Sequence, residues 1–374
     1  MQKCLFLGVI VALLAINLSA SADTIFVRGR DKPLVGEIKS EDATTVVFGT
    51  IIAKKKVDEK IPSLDVLDIH YDDVLPIGLR LTGGAYNMAK KADKEAENTT
   101  DPIKLKSSLA TAIFKYGETL KEMKPHKSAS RTIEYKIAIL MVRQAGADPA
   151  AQAKALQKLL EFKRPGNMSS WQINHVMPTI AQLQVDANDF KGAQETYEEM
   201  AGMAGLPLKV KNDAELMVVQ IMVKGKKIAE ATKRLEALAV KGKDNPEFVA
   251  RVKMMKAEIL IIADPVKNLP EATALLQQVV KENNDKEVKA RAHNTLGECL
   301  FKADRYNDSL WEFLWVDTVF NQDKNQQSKA KYYLWKVFER LNNPERAEEC
   351  RQSLLNDAPF RGTEWHAKAV RETK

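Results

Sequence analysis

The residues able to do chemistry are spread thinly along this chain of 374 residues. Its five histidines, His70, His126, His175, His293 and His366, fall in five different segments with no pair at ligand spacing. A zinc-protease helix needs two histidines four apart with a glutamate beside the first, and a redox pair needs two cysteines two residues apart. A serine-hydrolase elbow needs Gly-x-Ser-x-Gly. The sequence contains none of these. Gly83-Gly84 precedes helical sequence, but no strand and no Lys-Ser/Thr pair make it a phosphate loop. Glu364 and His366 are two donors where a metal needs more. Glu198-Glu199 and Glu348-Glu349 are adjacent on helices and point to different azimuths, which makes them surface charge and not an acid/base dyad. The sequence therefore predicts no catalytic residue, no metal and no cofactor.

What remains is the chemistry of binding. Eight aromatic residues, from Trp311 to Phe338, crowd into 28 positions. Trp311 and Trp315 are four apart and share a helical face offset from that of Phe313. Two readings stand for that face: packing on the next helix, or exposed anchors for a partner. A second pattern is a polar stripe. Arg291, Asn294, Glu298 and Phe301 recur at helical spacing, and so do Lys329, Tyr332, Lys336 and Arg340. Long basic side chains beside an aromatic ring would clamp a peptide carboxylate while the ring covers an apolar side chain. The alternative for the stripe is a solvated basic helix.

These residues need elements to position them, and the sequence repeats. Ala153, Ala193, Ala231, Ala272, Ser309 and Ala347 recur with gaps of 40, 38, 41, 37 and 38 residues, each early in an amphipathic segment. Such a period marks stacked helical hairpins that bury apolar faces only against their neighbours. Fourteen helices are predicted, near 77–96, 103–123, 128–145, 149–163, 171–186, 190–202 and 209–224, then near 226–240, 246–262, 269–282, 286–303, 307–321, 325–341 and 345–356. The breaks between them carry Asp-Pro, Asn-Pro and Pro-Gly punctuation, as helix starts require. Seven hairpins follow.

Residues 290–321 form the clearest repeat. Leu296-Gly297 marks one close helix crossing, Asp304-Arg305-Tyr306 a turn, Ser309 a second crossing, and Phe313 with Val316 fill the groove behind it. This segment resembles a tetratricopeptide repeat. Residues 181–202 echo its second half with Ala181, Asp189-Phe190, Ala193, Tyr197 and Met200. The resemblance implies a right-handed α-solenoid whose first helices line a surface for a protein or peptide.

Residues 23–74 read differently. Thr24–Val27, Leu34–Ile38, Thr44–Phe48, Ile51–Ile61 (a hairpin around Lys54-Lys55-Lys56) and Val66–Tyr71 give five short alternating strands, suited to a small barrel-like domain. On Gly36, Ile38, Glu41, Val46, Ile61-Pro62, Asp65-Val66 and Ile69, the segment resembles the SH3/Sm-like β modules that follow signal peptides in bacterial envelope proteins, notably of planctomycetes. Ahead of it, Lys3, the 13-residue apolar run Cys4–Ile16 and Ala20-Ser21-Ala22 read as a cleaved signal peptide, with Asp23 opening the mature chain. Cys4 stands at the wrong end of that run for lipidation. No later run is long enough to span a bilayer.

The net charge of +7 is spread among Lys-Glu neighbours, with no arginine-rich patch interleaved with aromatics, so no nucleic-acid partner is expected. Cys299 and Cys350 are expected as buried thiols.

The fold class is thus mostly α, with a signal at 1–22, a β domain at 23–74, a solenoid at 75–358 and a polar tail at 359–374. The function expected is a secreted or periplasmic, non-catalytic scaffold for a protein or peptide. The alternatives are a self-assembling or cell-wall-binding subunit and an envelope enzyme with a dispersed site. Homo-oligomerisation is left open.

Overall fold

The structure, a computed structural model, describes residues 22–52, 55–72 and 74–373. The signal segment before Ala22 and the Ala53-Lys54 tip of the expected hairpin lie outside the described residues. The chain is mostly helical, with one five-stranded antiparallel sheet near its start, as the sequence predicts. It forms two compact units. The first comprises the described residues through Ala187 together with Ala204–Pro207, and the second comprises Asn188–Met203 and the residues from Leu208 onward.

The first unit opens with β1 (Asp23–Val27), β2 (Leu34–Glu41), β3 (Thr45–Ile52), β4 (Lys55–Pro62) and β5 (Val66–His70), ordered β4-β3-β2-β1-β5. Strand β2 is shared: Leu34–Gly36 pair with β1, and Glu37–Glu41 pair with β3. Gly36 is a close-packing point, because a Cβ there would stand 2.1 Å from the Gly49 carbonyl oxygen. Six helices follow: α1 (Ile77–Arg80), α2 (Ala85–Asn98), α3 (Pro102–Glu122), α4 (Lys127–Ala145), α5 (Pro149–Phe162) and α6 (Ile173–Asp186). The stretch predicted as one helix over 77–96 is two, because the chain breaks at Leu81–Gly84. A Cβ on Gly84 would collide with the Gly78 and Leu79 carbonyl oxygens at 2.2 and 2.4 Å. One apolar core joins Ile25, Phe48 and Ile69 of the sheet to Tyr86, Tyr116 and Trp171 of the helical part.

The second unit contains α7 (Phe190–Gly202), α8 (Leu208–Lys224), α9 (Ile228–Lys241), α10 (Pro246–Ala263), α11 (Leu269–Glu282), α12 (Lys286–Lys302), α13 (Tyr306–Thr318), α14 (Lys324–Arg340), α15 (Pro344–Asn356) and α16 (Glu364–Glu372). Consecutive helices pack on each other throughout, which is the helical-hairpin arrangement. Their starts are fixed by side-chain caps. Asn245, Asp285, Asp323 and Asn343 each accept a backbone N–H of the following helix, an interaction worth about 1 kcal/mol. Four non-glycine corners of this unit, Asn188, Lys226, Asp304 and Asn342, adopt the left-handed conformation at φ 60, 62, 59 and 55. Asp304 and Asn342 are 38 residues apart, so the repeat is a repeat of backbone geometry as well as of side-chain size.

The small-residue echo is borne out at Ala193, Ala231, Ala272, Ser309 and Ala347, all buried. It fails at Ala153, which is exposed; the fully buried small residue of α5 is Ala155, 38 residues before Ala193. The stretch read as a polar tail is also corrected. Residues 358–360 form a 3₁₀ turn, and α16 folds back to pack on α14 and α15, burying Phe360 and Ala369. Cys299 is buried as expected, whereas Cys350 is only half-buried.

The crossing of α12 and α13 leaves no room for added bulk. The Ser309 hydroxyl donates to the Gly297 carbonyl at 2.8 Å, and a Cβ on Gly297 would lie 2.7 to 2.9 Å from three ring atoms of the fully buried Phe313. We expect Gly297→Leu to destabilise the chain by about 1–3 kcal/mol through overpacking. Urea melts of the two proteins give the answer, and coincident curves would mean that the crossing is not close.

Candidate partner-binding groove

Within the second unit the even-numbered helices also meet each other: α8 touches α10, α10 touches α12, α12 touches α14, and α14 touches α16. They form one layer, and that layer is hollowed. Two adjoining depressions, of about 400 and 210 Å³, share Glu258, Thr295, Gln326 and Lys329. Helical spacing explains the lining. Arg251, Met254, Met255, Glu258 and Ile262 follow one face of α10, while Arg291, Thr295, Glu298, Cys299 and Lys302 follow one face of α12. Gln220 of α8 and Trp365 of α16 contribute to the larger hollow.

The cations of this groove are mostly spoken for. Lys329 forms an ion pair with Glu298 and stands 5.5 Å from the Trp365 ring centre. Burial lowers the pKa of Lys329, but Glu298 and Glu258 outweigh it and hold the ammonium above the ordinary lysine value. Arg251 is paired with Asp213, and Arg291 with Glu287. Lys302, exposed at the rim, has no ion-pair partner among the described residues.

Glu258 differs from its neighbours. It is half-buried at the junction of the two hollows and makes no hydrogen bond or ion pair among the described residues. Burial pushes its carboxyl up to about 7, and the nearby Glu298 pushes in the same direction. Cys299, beside it, is no nucleophile: burial drives its thiol up to about 12.

Of the residues singled out in the sequence, Arg291 and Lys329 reach this groove, together with Glu298. The others do not. Asn294 is fully buried and donates to the backbone carbonyl and side chain of Gln326 at 3.0 and 2.9 Å, tying α12 to the first turn of α14. Phe301 packs edge-on against Tyr306 and Tyr333. Tyr332 is buried beneath α16, its hydroxyl donating to Glu372 at 2.7 Å, and Lys336 pairs with the same Glu372 at 3.0 Å. Arg340 is exposed, with its guanidinium 6.0 Å from the Tyr306 ring centre. The expected basic stripe is therefore open only at Arg340: Lys329 is paired with Glu298, and the segment read as a tail covers the middle. Trp311 and Trp315 lie on α13, outside the groove lining, and are 65% and 48% exposed. His366 meets the Leu355 carbonyl while Glu364 lines the groove, so the two do not converge. Ala22 and Asp23, the expected cleavage junction, are described; Asp23 opens β1 and its carboxylate accepts the Ile38 N–H at 3.0 Å.

Sequence reasoning missed Glu258 and Trp365. The signal for Glu258 was present: it is the lone charge in Ala257-Glu258-Ile259-Leu260-Ile261-Ile262, an otherwise apolar run. Also missed was a charge network in the first unit, beside a hollow of about 750 Å³. There Lys136 lies 2.6 Å from Asp68 and 3.5 Å from Asp93, His70 lies 3.0 Å from Asp68, and Arg143 stands 3.6 Å from Asp93. Burial would raise the Asp68 carboxyl, but Lys136 and His70 hold it below the usual carboxylate range. With Arg131 paired to Glu41 and Tyr71 donating to that same carboxylate, these pairs fasten helices to the sheet. Among the described residues no helix is long and apolar enough to cross a membrane.

No family model and no curated protein matches the chain. Among solved structures it is similar to a tetratricopeptide repeat protein from Parabacteroides merdae. The two are 10% identical, with 76% of this chain and 98% of that one covered and a TM-score of 0.47. The apo form of RapI is similar at 13% identity, covering 76% and 79% with a TM-score of 0.39. The TPR domain of P58(IPK) is similar at 15% identity, covering 77% and 78% with a TM-score of 0.23. The functional reading rests on the geometry of the groove and not on these likenesses.

The raised pKa of Glu258 has a definite sign in stability. Its folded value of about 7 lies above the ordinary glutamate value of about 4.3, so the folded chain holds a proton that the unfolded chain releases. That contribution is complete below about pH 4.3 and is lost as the pH rises through about 7. The stability of Glu258→Gln relative to the parent should therefore rise by on the order of 2 kcal/mol between pH 5 and pH 8. Urea melts at the two pH values measure it, and a constant difference would contradict the assignment.

Proposed function

We propose that this chain is a non-catalytic scaffold of the bacterial cell envelope that holds a protein or peptide segment along the even-helix layer of its second unit. The observation that carries the reading is the hollowed layer itself, to which α8, α10, α12, α14 and α16 all contribute. A surface assembled from packed helices is ordered before binding, so little of the interaction energy goes into ordering it. An extended segment also matches a groove that crosses several helices better than a compact ligand does. The neutral Cys299 thiol and the paired cations speak for binding over catalysis at this site. Export is supported by the apolar run and small-residue junction ahead of Asp23. An SH3/Sm-like identity for the β module is supported by its five-strand order and by a β2 strand divided between two partners.

One observation favours self-assembly as a second reading. Trp311, Trp315 and Val319 are spaced by four along α13 and its end, and all three are exposed. Apolar groups in such a row are characteristic of protein contacts.

Photo-crosslinking groups placed at Lys302 and at Trp311 separate the two readings in cells. We expect a foreign polypeptide crosslinked at position 302, on a native protein whose amino terminus is Asp23. Crosslinks between copies at position 311 alone would favour assembly, and a retained Met1 would overturn export.

A further inference from the structure

We infer that the larger hollow receives a basic side chain, lysine or arginine, from the bound segment, with Glu258 as its acceptor. The inference rests on the scaffold reading above and specifies the chemistry of the occupant. Charge complementarity gives the sign. Ionised Glu258 has no ion pair of its own: Lys329 and Lys302 attract it only from a distance, and Lys329 is taken by Glu298, Arg251 by Asp213 and Arg291 by Glu287. An acidic side chain entering the hollow would meet Glu258, Glu298 and Glu364, with only the rim Lys302 free to answer it. An entering cation completes the set.

The shape of the hollow agrees. Trp365 forms part of its wall, and its ring already has the Lys329 and Lys368 ammonium groups 5.5 and 4.8 Å from its centre, so it offers apolar contact and not a vacant cation face. Ile262 supplies apolar surface for the stem of a long side chain. The stem of a lysine or arginine can thus lie against Ile262 and Trp365 while its head donates to Glu258.

The helices around Glu258 add few other groups able to titrate near neutrality. From α12 come Glu298, held in its ion pair, the neutral Cys299 and Lys302. From α14 comes Lys329, and from α16 Glu364. Helix α8 offers the uncharged Gln220, α11 directs Glu271 to Lys256, and Arg234 of α9 is held by Glu198 and Glu215. With the acceptor ionising at about 7, a cation binds fully above that pH and progressively less below it.

The test uses the whole chain and a displayed library of random twelve-residue peptides, selected at pH 8. Recovered peptides should share a lysine or arginine. Their affinity should fall about tenfold between pH 8 and pH 6, following the ionised fraction of one carboxyl. Glu258→Gln, nearly isosteric, should weaken them at least tenfold and flatten the pH dependence. Peptides that crosslink to the even-helix layer but lack a basic residue, or that bind Glu258→Gln equally well, overturn the inference and leave the scaffold reading standing. Recovery of no peptide by either protein overturns both.

Discussion

The arrangement of the second unit depends on how closely its helices can cross. An α-helix normally keeps its neighbour about 8–10 Å away, and a closer approach needs positions without bulk. Gly297 and Ser309 supply two such positions, and Phe313 fills the space that the glycine leaves. Ala193, Ala231, Ala272 and Ala347 mark the corresponding positions on other helices. Because odd-numbered helices sit close behind the even ones, the even helices touch each other and make a layer of their own. The groove is a product of that packing. Its lining residues are held on helix faces whose opposite sides are locked in the core, so the charges stand at fixed places.

Those charges are where the structure departs most from a solvated surface. Ten lysines and arginines lie from Arg291 to Arg351, against ten aspartates and glutamates, so this stretch is formally neutral. Pairing decides which of these charges stay free. Lys329, Lys331, Lys336 and Arg351 are each matched by a carboxylate, and several of these contacts bridge helices. The exposed pairs among them contribute little stability individually. Their larger effect here is to leave few cations of this stretch free for an incoming anion. Glu258 is left without a direct ion pair, and its environment keeps it near the point of ionisation.

Much of the fold was legible in the sequence because it is written locally. Caps such as Asp101, Asp148, Asn245 and Asn343, each followed by proline, fixed helix starts to within a residue or two. The change from alternating to helical periodicity after Leu75 separated sheet from helices. The errors concern contacts that are not local. Ala153 and Ala155 are indistinguishable by type, and only packing shows that Ala155 is the buried one. The final residues are polar on average, yet Trp365 and Ala369 sit four apart and give α16 an apolar edge to dock. That docking buries Tyr332, which spacing alone had placed on an open face. On α12, Arg291 and Glu298 line the groove as read from the sequence, whereas Asn294 and Phe301 face neighbouring helices and Thr295 and Lys302 line the groove in their place.

The account stands on Glu258 being an acid without an ion-pair partner in a preformed groove. Site-resolved carbon-13 titration of its carboxyl, assigned by comparison with Glu258→Gln, measures that state directly in the whole chain. The account predicts a single midpoint near 7, well above the ordinary glutamate range. A midpoint near 4.3 would show the carboxyl to be solvated or already paired, and the groove would lose the feature that selects its occupant.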